Sequence, residues 1–243
     1  MSAAPVTPSP RATTPPGRTQ PAGADGTGRA AGLGALVFVA VVVLQNVVRG
    51  TAAPGAGAAA EEVLRHYAEH RGTTFLLAGT FVVSGFALAT FIGAAAGRLL
   101  TGTRRAWAAT GLVSATVVLA LFSVVVAAEV ALSVLASGDD PDLGAVAALW
   151  ALHNSVFAVN FLAVAIALGG LAKGGVGAGI TPVVFDRLAP AGAGLLAVAA
   201  VAAPAIAAGE AAALFGLGLL GFLVWLAFLV TTGGRLVRTA VAS

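Results

Sequence analysis

The sequence predicts an all-α, polytopic membrane protein: a bundle of six transmembrane helices with a short extracytoplasmic amphipathic helix. Three observations lead there. Hydrophobic residues make up 58% of the chain and charged residues 9%, with a mean hydropathy of +0.97, whereas soluble domains carry about 25% charged residues. The apolar residues come in blocks of roughly 20, the length needed to cross a ~30 Å hydrocarbon core at ~1.5 Å per helical residue. Lipid offers no partner to an open backbone, so helices are the expected spanning form.

Residues 1–30 hold six of the eleven prolines together with Arg11, Arg18 and Arg29, a composition that buries no core and predicts a disordered, Pro-rich cytoplasmic tail. A six-helix transmembrane domain is expected over residues 31–238, with residues 239–243 as a cytoplasmic C-terminal end. The first span is placed at 32–48. Small residues after it (Thr51, Ala52, Ala53) would also suit a cleaved signal, but the charged region before it is longer than a signal carries, which favours a retained span. The stretch Glu61-Glu-Val-Leu-Arg-His-Tyr-Ala-Glu-His-Arg71 reads as a short amphipathic helix on the membrane surface, with Val63, Leu64, Tyr67 and Ala68 on one side.

The second span is expected at 74–96, ending in Gly93-Ala-Ala-Ala-Gly97, a small-xxx-small pattern that lets helix backbones meet and permits a homo-oligomer through small-residue faces. A basic loop, 98–105, leads to a third span at 108–136, which contains Glu129. The acidic turn Asp139-Asp-Pro-Asp142 feeds a fourth span at 144–168, which carries His153, Asn154 and Asn160. The fifth span, 191–208, is interrupted by Pro204, which should kink it. The sixth runs over 212–232.

Charge sets the orientation. The tail, the loops after the second and fourth spans, and the C-terminal end hold ten of the thirteen Lys and Arg residues, which puts both termini in the cytoplasm of a multi-pass plasma-membrane protein. A sequence pI near 10.6 could suggest nucleic acid, but the basic residues are scattered singly, so membrane lipid is the expected partner and nucleic acid is not. There is no cysteine, which excludes disulfides, thiolate catalysis and Cys-ligated metals. No Gly-Lys-Ser/Thr phosphate loop is present, and no cofactor is expected.

The chemistry-bearing residues gather at one depth. Glu129 lies about seven residues, and His153 about nine, below the outer ends of their spans, which is ~10 to 13 Å. Gln45 and Asn46 stand near the outer end of the first span. An ionisable residue inside a membrane is costly without a partner and is by default a functional hypothesis, so a Glu129–His153 pair is the arrangement of lowest cost. Trp150, His153, Phe157 and Asn160 follow i, i+3, i+7, i+10 spacing and should share one face looking into the bundle. Such a pair fits a structural bond that fixes helix register, a ligand or ion site, or a metal or catalytic site. His66 and His70, spaced i, i+4, suit two metal ligands, but no Glu follows the first His as metalloprotease chemistry needs. A solvated interfacial face is the alternative.

The first span ending in Leu44-Gln-Asn46, the segment from Glu61 to Arg71, the run Leu149-Trp-Ala-Leu-His153-Asn154, and Phe185-Asp-Arg-Leu188 together resemble a six-span bacterial integral membrane protein family of unknown function. The resemblance covers about 32–238. It implies the same topology and no established activity. The reading is therefore a non-enzymatic protein that binds or senses a small ligand or partner from the outer side, with His153 and Glu129 at the centre and Asn154, Asn160 and Asn46 as hydrogen-bonding neighbours. The alternatives are a small-molecule or ion transporter using the Glu/His pair, with Pro204 supplying a broken helix, and third a membrane enzyme with a metal held by His66, His70 and His153.

Overall fold

The computed structural model of the chain describes residues 24–50 and 53–241, and every regular element among them is helical. In order these are α1 (Ala24–Arg49), α2 (Ala60–Glu69), α3 (Arg71–Thr101), α4 (Arg105–Leu135), α5 (Leu143–Gly177), α6 (Phe185–Val201), α7 (Ala203–Ala207) and α8 (Ala212–Val241). Five of them, α1, α3, α4, α5 and α8, are long and apolar enough to cross a bilayer. The chain thus has the make-up of a helical, multi-pass membrane protein.

The long helices close into a ring. α1 packs on α3, α3 on α4, α4 on α5, α5 on α6, α6 on α8, and α8 returns to α1. Lipid tails are as apolar as leucine, so association between such helices depends on close packing rather than on expulsion of water. Glycine supplies that closeness at four seams. A Cβ on Gly32 would strike the Gly233 carbonyl between α1 and α8, and one on Gly34 would strike the Ala87 carbonyl between α1 and α3. Across α4 and α5, Gly111 lies against the backbone of Gly170 and Leu171, and across α6 and α8, Gly221 lies against the Gly192 carbonyl.

The helix ends depart from the sequence expectations for local reasons. α1 begins at Ala24, inside the segment expected to be a tail; the rest of that expectation, residues 1–23, lies outside the described residues, as do residues 242–243. Asp142 starts α5 by accepting hydrogen bonds from Gly144 N (2.8 Å) and Ala145 N (3.2 Å), which satisfies two of the unpaired N–H groups of a helix start. α5 then runs past its expected end at Leu168 to Gly177, because Gly170 and Gly174 nestle on Gly111 and Ala108 of α4 and the glycine run is held helical by packing. Lys173, expected in a loop, is on that helix with its ammonium 4.0 Å from the centroid of Trp107.

The fifth expected span begins earlier, at Phe185, and is broken at Ala202 into pieces of 17 and 5 residues. Pro204 explains the break: it has no N–H for the Ala200 carbonyl, and its ring crowds that turn. The short amphipathic helix expected over 61–71 is present as α2, with Val63 and Tyr67 buried and Ala68 exposed. It caps one end of the ring, where Val63 and Tyr67 join Leu132, Val146 and Trp150 in a small second core. Gly93 and Gly97 take no part in the packing, since a Cβ on either would meet nothing within 4 Å.

Candidate functional site

Beneath α2 the ends of α1, α4 and α5 converge, and each contributes a polar side chain. Glu129 of α4 is 7% exposed. Its Oε2 accepts a hydrogen bond from Arg49 Nη2 of α1 at 2.7 Å, and its Oε1 lies 3.4 Å from His153 Nε2 of α5. The arginine contact is thus the strong one, and the expected Glu129–His153 pair sits at the outer limit of hydrogen-bonding distance.

The face read from the spacing of α5 is present. Trp150 stacks on His153 with ring centroids 4.8 Å apart and planes 11° from parallel, and His153 in turn faces Phe157 at 6.4 Å. These rings hold the imidazole edge-on to Glu129. Its other nitrogen, Nδ1, is 3.1 Å from Asn154 Oδ1.

The imidazole stands between two acceptors. Asn154 Nδ2 donates to the Ala56 carbonyl (3.1 Å), so Oδ1 is the atom facing His153 and accepts from Nδ1–H. Nε2 then faces a carboxylate oxygen, and a neutral imidazole has only one N–H. The imidazole therefore has one N–H for two acceptors, of which Asn154 Oδ1 at 3.1 Å is nearer than Glu129 Oε1 at 3.4 Å.

Residues 53–59, which lead into α2, strap over this cluster. Trp150 Nε1 donates to the Gly55 carbonyl at 3.3 Å, beside the Asn154 bond to Ala56. Gly57 rests on Ala208 and on Gly209, whose φ of +78° is open to glycine at little cost. Tyr67 packs edge-on to Trp150 at 6.3 Å. Burial pushes its hydroxyl pKa well above 10.0, with the Glu129 charge adding to the shift and Arg49 opposing it. His66 stacks on His70 at 4.5 Å, and burial, then His70, lower its pKa below 6.5, while Glu69 and Glu129 oppose the shift.

A narrow cavity of about 50 Å³ occupies the centre of the ring below the cluster. Its walls include Phe38, Phe81, Phe122, Phe157, Phe161 and Phe222, with Asn46 and Arg49 toward the α2 end and Ser84 and Asn160 deeper. Arg49 belongs to both features, bonded to Glu129 and lining the cavity.

The five sequence candidates therefore divide. Glu129, His153 and Asn154 form one bonded chain. Asn46 is exposed, lines the cavity, and returns its Nδ2 to the Val42 carbonyl of its own helix (2.8 Å). Asn160 is 2% exposed, stands seven residues below His153 on α5, and its Oδ1 has no hydrogen-bond partner. Gln45 bonds away from the cluster, to the Leu77 carbonyl and the Thr80 hydroxyl. Sequence reasoning missed Arg49, which falls just past the expected end of the first span at 48, although a buried glutamate at the depth of that helix end calls for a cation. It also gave no sign of the Gly55 and Ala56 carbonyls, which carry no side-chain signal.

His66, His70 and His153 do not gather at one point: no group of three or more His, Asp or Glu side chains that could hold a metal occurs among the described residues. Compared with family models, curated proteins and solved structures, the chain matches none. The six-span bacterial family suggested by the sequence is not confirmed.

Proposed function

We propose that the chain is a six-span plasma-membrane protein with both termini in the cytoplasm, and that it binds or senses a small ligand or partner from the outer side without catalysing a reaction. The sixth crossing is supplied by α6 and α7 together: residues 185–207 reach ~35 Å at ~1.5 Å per residue and fill the ring between α5 and α8. The orientation is supported by the clustering of Lys and Arg at the end opposite α2. Membrane lipid surrounds the ring, and the unfilled Gly93/Gly97 face is available to a second copy.

The observation that carries the binding reading is the double role of Arg49. A purely structural ion pair needs no cavity at its side, whereas here the guanidinium that neutralises Glu129 also forms part of a cavity wall. A ligand reaching that wall would perturb the Arg49–Glu129–His153 chain and, through Asn154 and Trp150, the strap over it. Titration calorimetry of nanodisc-embedded protein with a panel of small carboxylates, amines and sugars tests this, with His153→Ala as the comparison. Saturable heat in the wild type that is lost in the variant supports the reading. If no panel member binds, or the variant binds equally, the pair is a packing feature.

The transporter is the second reading. It is favoured by the helix break at Ala202 and by the depth the cavity reaches.

A further inference from the structure

We propose that water from the outer side reaches Asn160 at the middle of the ring, making the central cavity a half-channel that admits compact hydrogen-bond donors and stops above an apolar floor. The inference rests on the outer placement of the α2 end proposed above and goes beyond it, because it assigns a second, deeper site.

Asn160 is the eighteenth residue of the 35 in α5, so it lies at the midpoint of a helix long enough to cross a bilayer. A buried amide oxygen without a partner forfeits a hydrogen bond, and lipid cannot supply a donor. A donor brought beside this amide would restore that bond. The cavity leads there: Asn160 is in its wall, as is Ser84, whose hydroxyl donates to the Phe81 carbonyl (2.9 Å) and keeps its own lone pairs free. At about 50 Å³ the space holds a few waters, each needing ~10–15 Å³, and is too small for a lipid chain.

The chemistry of the walls selects further. The deep end presents the Asn160 amide, the Ser84 hydroxyl and phenyl faces, which suit water, a small neutral molecule or a compact ammonium-type cation. An anion would meet ring faces and no countercharge there. Phe161 and Val164, each buried, close the wall below Asn160. On the far side of the ring the polar pair Thr181–Thr232 is bonded to itself at 3.0 Å. The path therefore ends at mid-membrane.

The absence of native cysteine makes the test direct. Ser84→Cys places a thiol in the cavity wall, and Phe86→Cys places one two residues along the same helix at a position 73% exposed on the ring's outer surface, where lipid would lie. Silver ion is added to either face of vesicles containing the full chain, followed by iodoacetamide and iodoacetate as a matched neutral and anionic pair. Thiol reactions need the thiolate, which an apolar setting suppresses by several powers of ten. Silver should block Ser84→Cys from the outer face at least a hundredfold faster than Phe86→Cys, and, with each rate taken relative to that on free cysteine, iodoacetamide should outpace iodoacetate at least tenfold.

Equal silver rates at the two positions overturn the hydrated cavity, and equal rates for the alkylating pair overturn the selection of donors. Reaction from the cytoplasmic face alone overturns the orientation while leaving the water site standing, which separates the two failures. Val164→Cys, on another helix of the wall, repeats the measurement if Ser84→Cys does not fold.

Discussion

The protein holds an arginine–carboxylate contact at each end of its ring, and the two differ in surroundings far more than in length. At the α2 end Arg49 meets Glu129 at 2.7 Å, with side chains 26% and 9% exposed; at the opposite end Arg104 meets Asp186 at 2.5 Å, with side chains 42% and 30% exposed. The exposed pair can exchange its partner for water. At the α2 end the carboxylate is the buried member, so Glu129 has less water to fall back on, and it is held as well by His153, whose orientation depends on Trp150, Phe157 and Asn154. One end therefore carries a network whose members depend on one another, and the other carries a solvated contact.

The comparison breaks most visibly if Arg49 is removed. Arg49→Met leaves the Glu129 carboxylate buried without its cation and should lower stability by about 3–5 kcal/mol, read by chemical unfolding in detergent micelles; adding Glu129→Leu should recover most of the loss. Should Arg49→Met cost no more than a surface substitution, the cluster is hydrated and the contrast fails. The strap is next. Gly209→Ala imposes a side chain on a φ of +78° and against Gly57, costing about 1–2 kcal/mol and raising proteolytic cleavage between α1 and α2.

Arg104→Ala should cost no more than about 1 kcal/mol, and raising the salt concentration should shrink that difference in the same unfolding assay. The smallest effect concerns pH. The folded state holds the His66 pKa below 6.5, so its contribution to stability is present above pH 6.5 and is lost as pH falls below it. His66→Gln should flatten the acid side of the stability profile near that pH. Tyr67 acts at the other extreme: its raised pKa favours the neutral hydroxyl, and the corresponding stability is lost as pH rises beyond 10.0.

Much of this architecture is legible in the sequence because lipid constrains it so strongly. Apolar runs of sufficient length and a proline at 204 each act through local rules, and the i, i+3, i+7 spacing of Trp150, His153 and Phe157 gives their shared face directly. Glu129 and His153 were legible because their burial is costly. What remained hidden depends on distant chain segments. Gly93/Gly97 and Gly170/Gly174 look alike as sequence, yet only the second pair meets another backbone. Asn160 looked like a neighbour of His153 because both lie on one helical face, but two turns of rise separate them, and only the ring around the cavity makes Asn160 a site of its own.

The seam between α1 and α8 bears on biogenesis. Helices are delivered to the membrane in chain order, so through most of synthesis the assembly is an open arc, with Gly32 and Ala35 of α1 waiting for a surface that arrives about two hundred residues later at Gly233. Until then the central cavity has no eighth-helix wall and stands open to lipid, and the polar groups facing it are unprotected. Closure by α8 is thus the step that turns a set of inserted segments into a finished compartment. A chain shortened before that helix should still insert, remain an arc, and be cleared by membrane quality control rather than persist as a partly working protein.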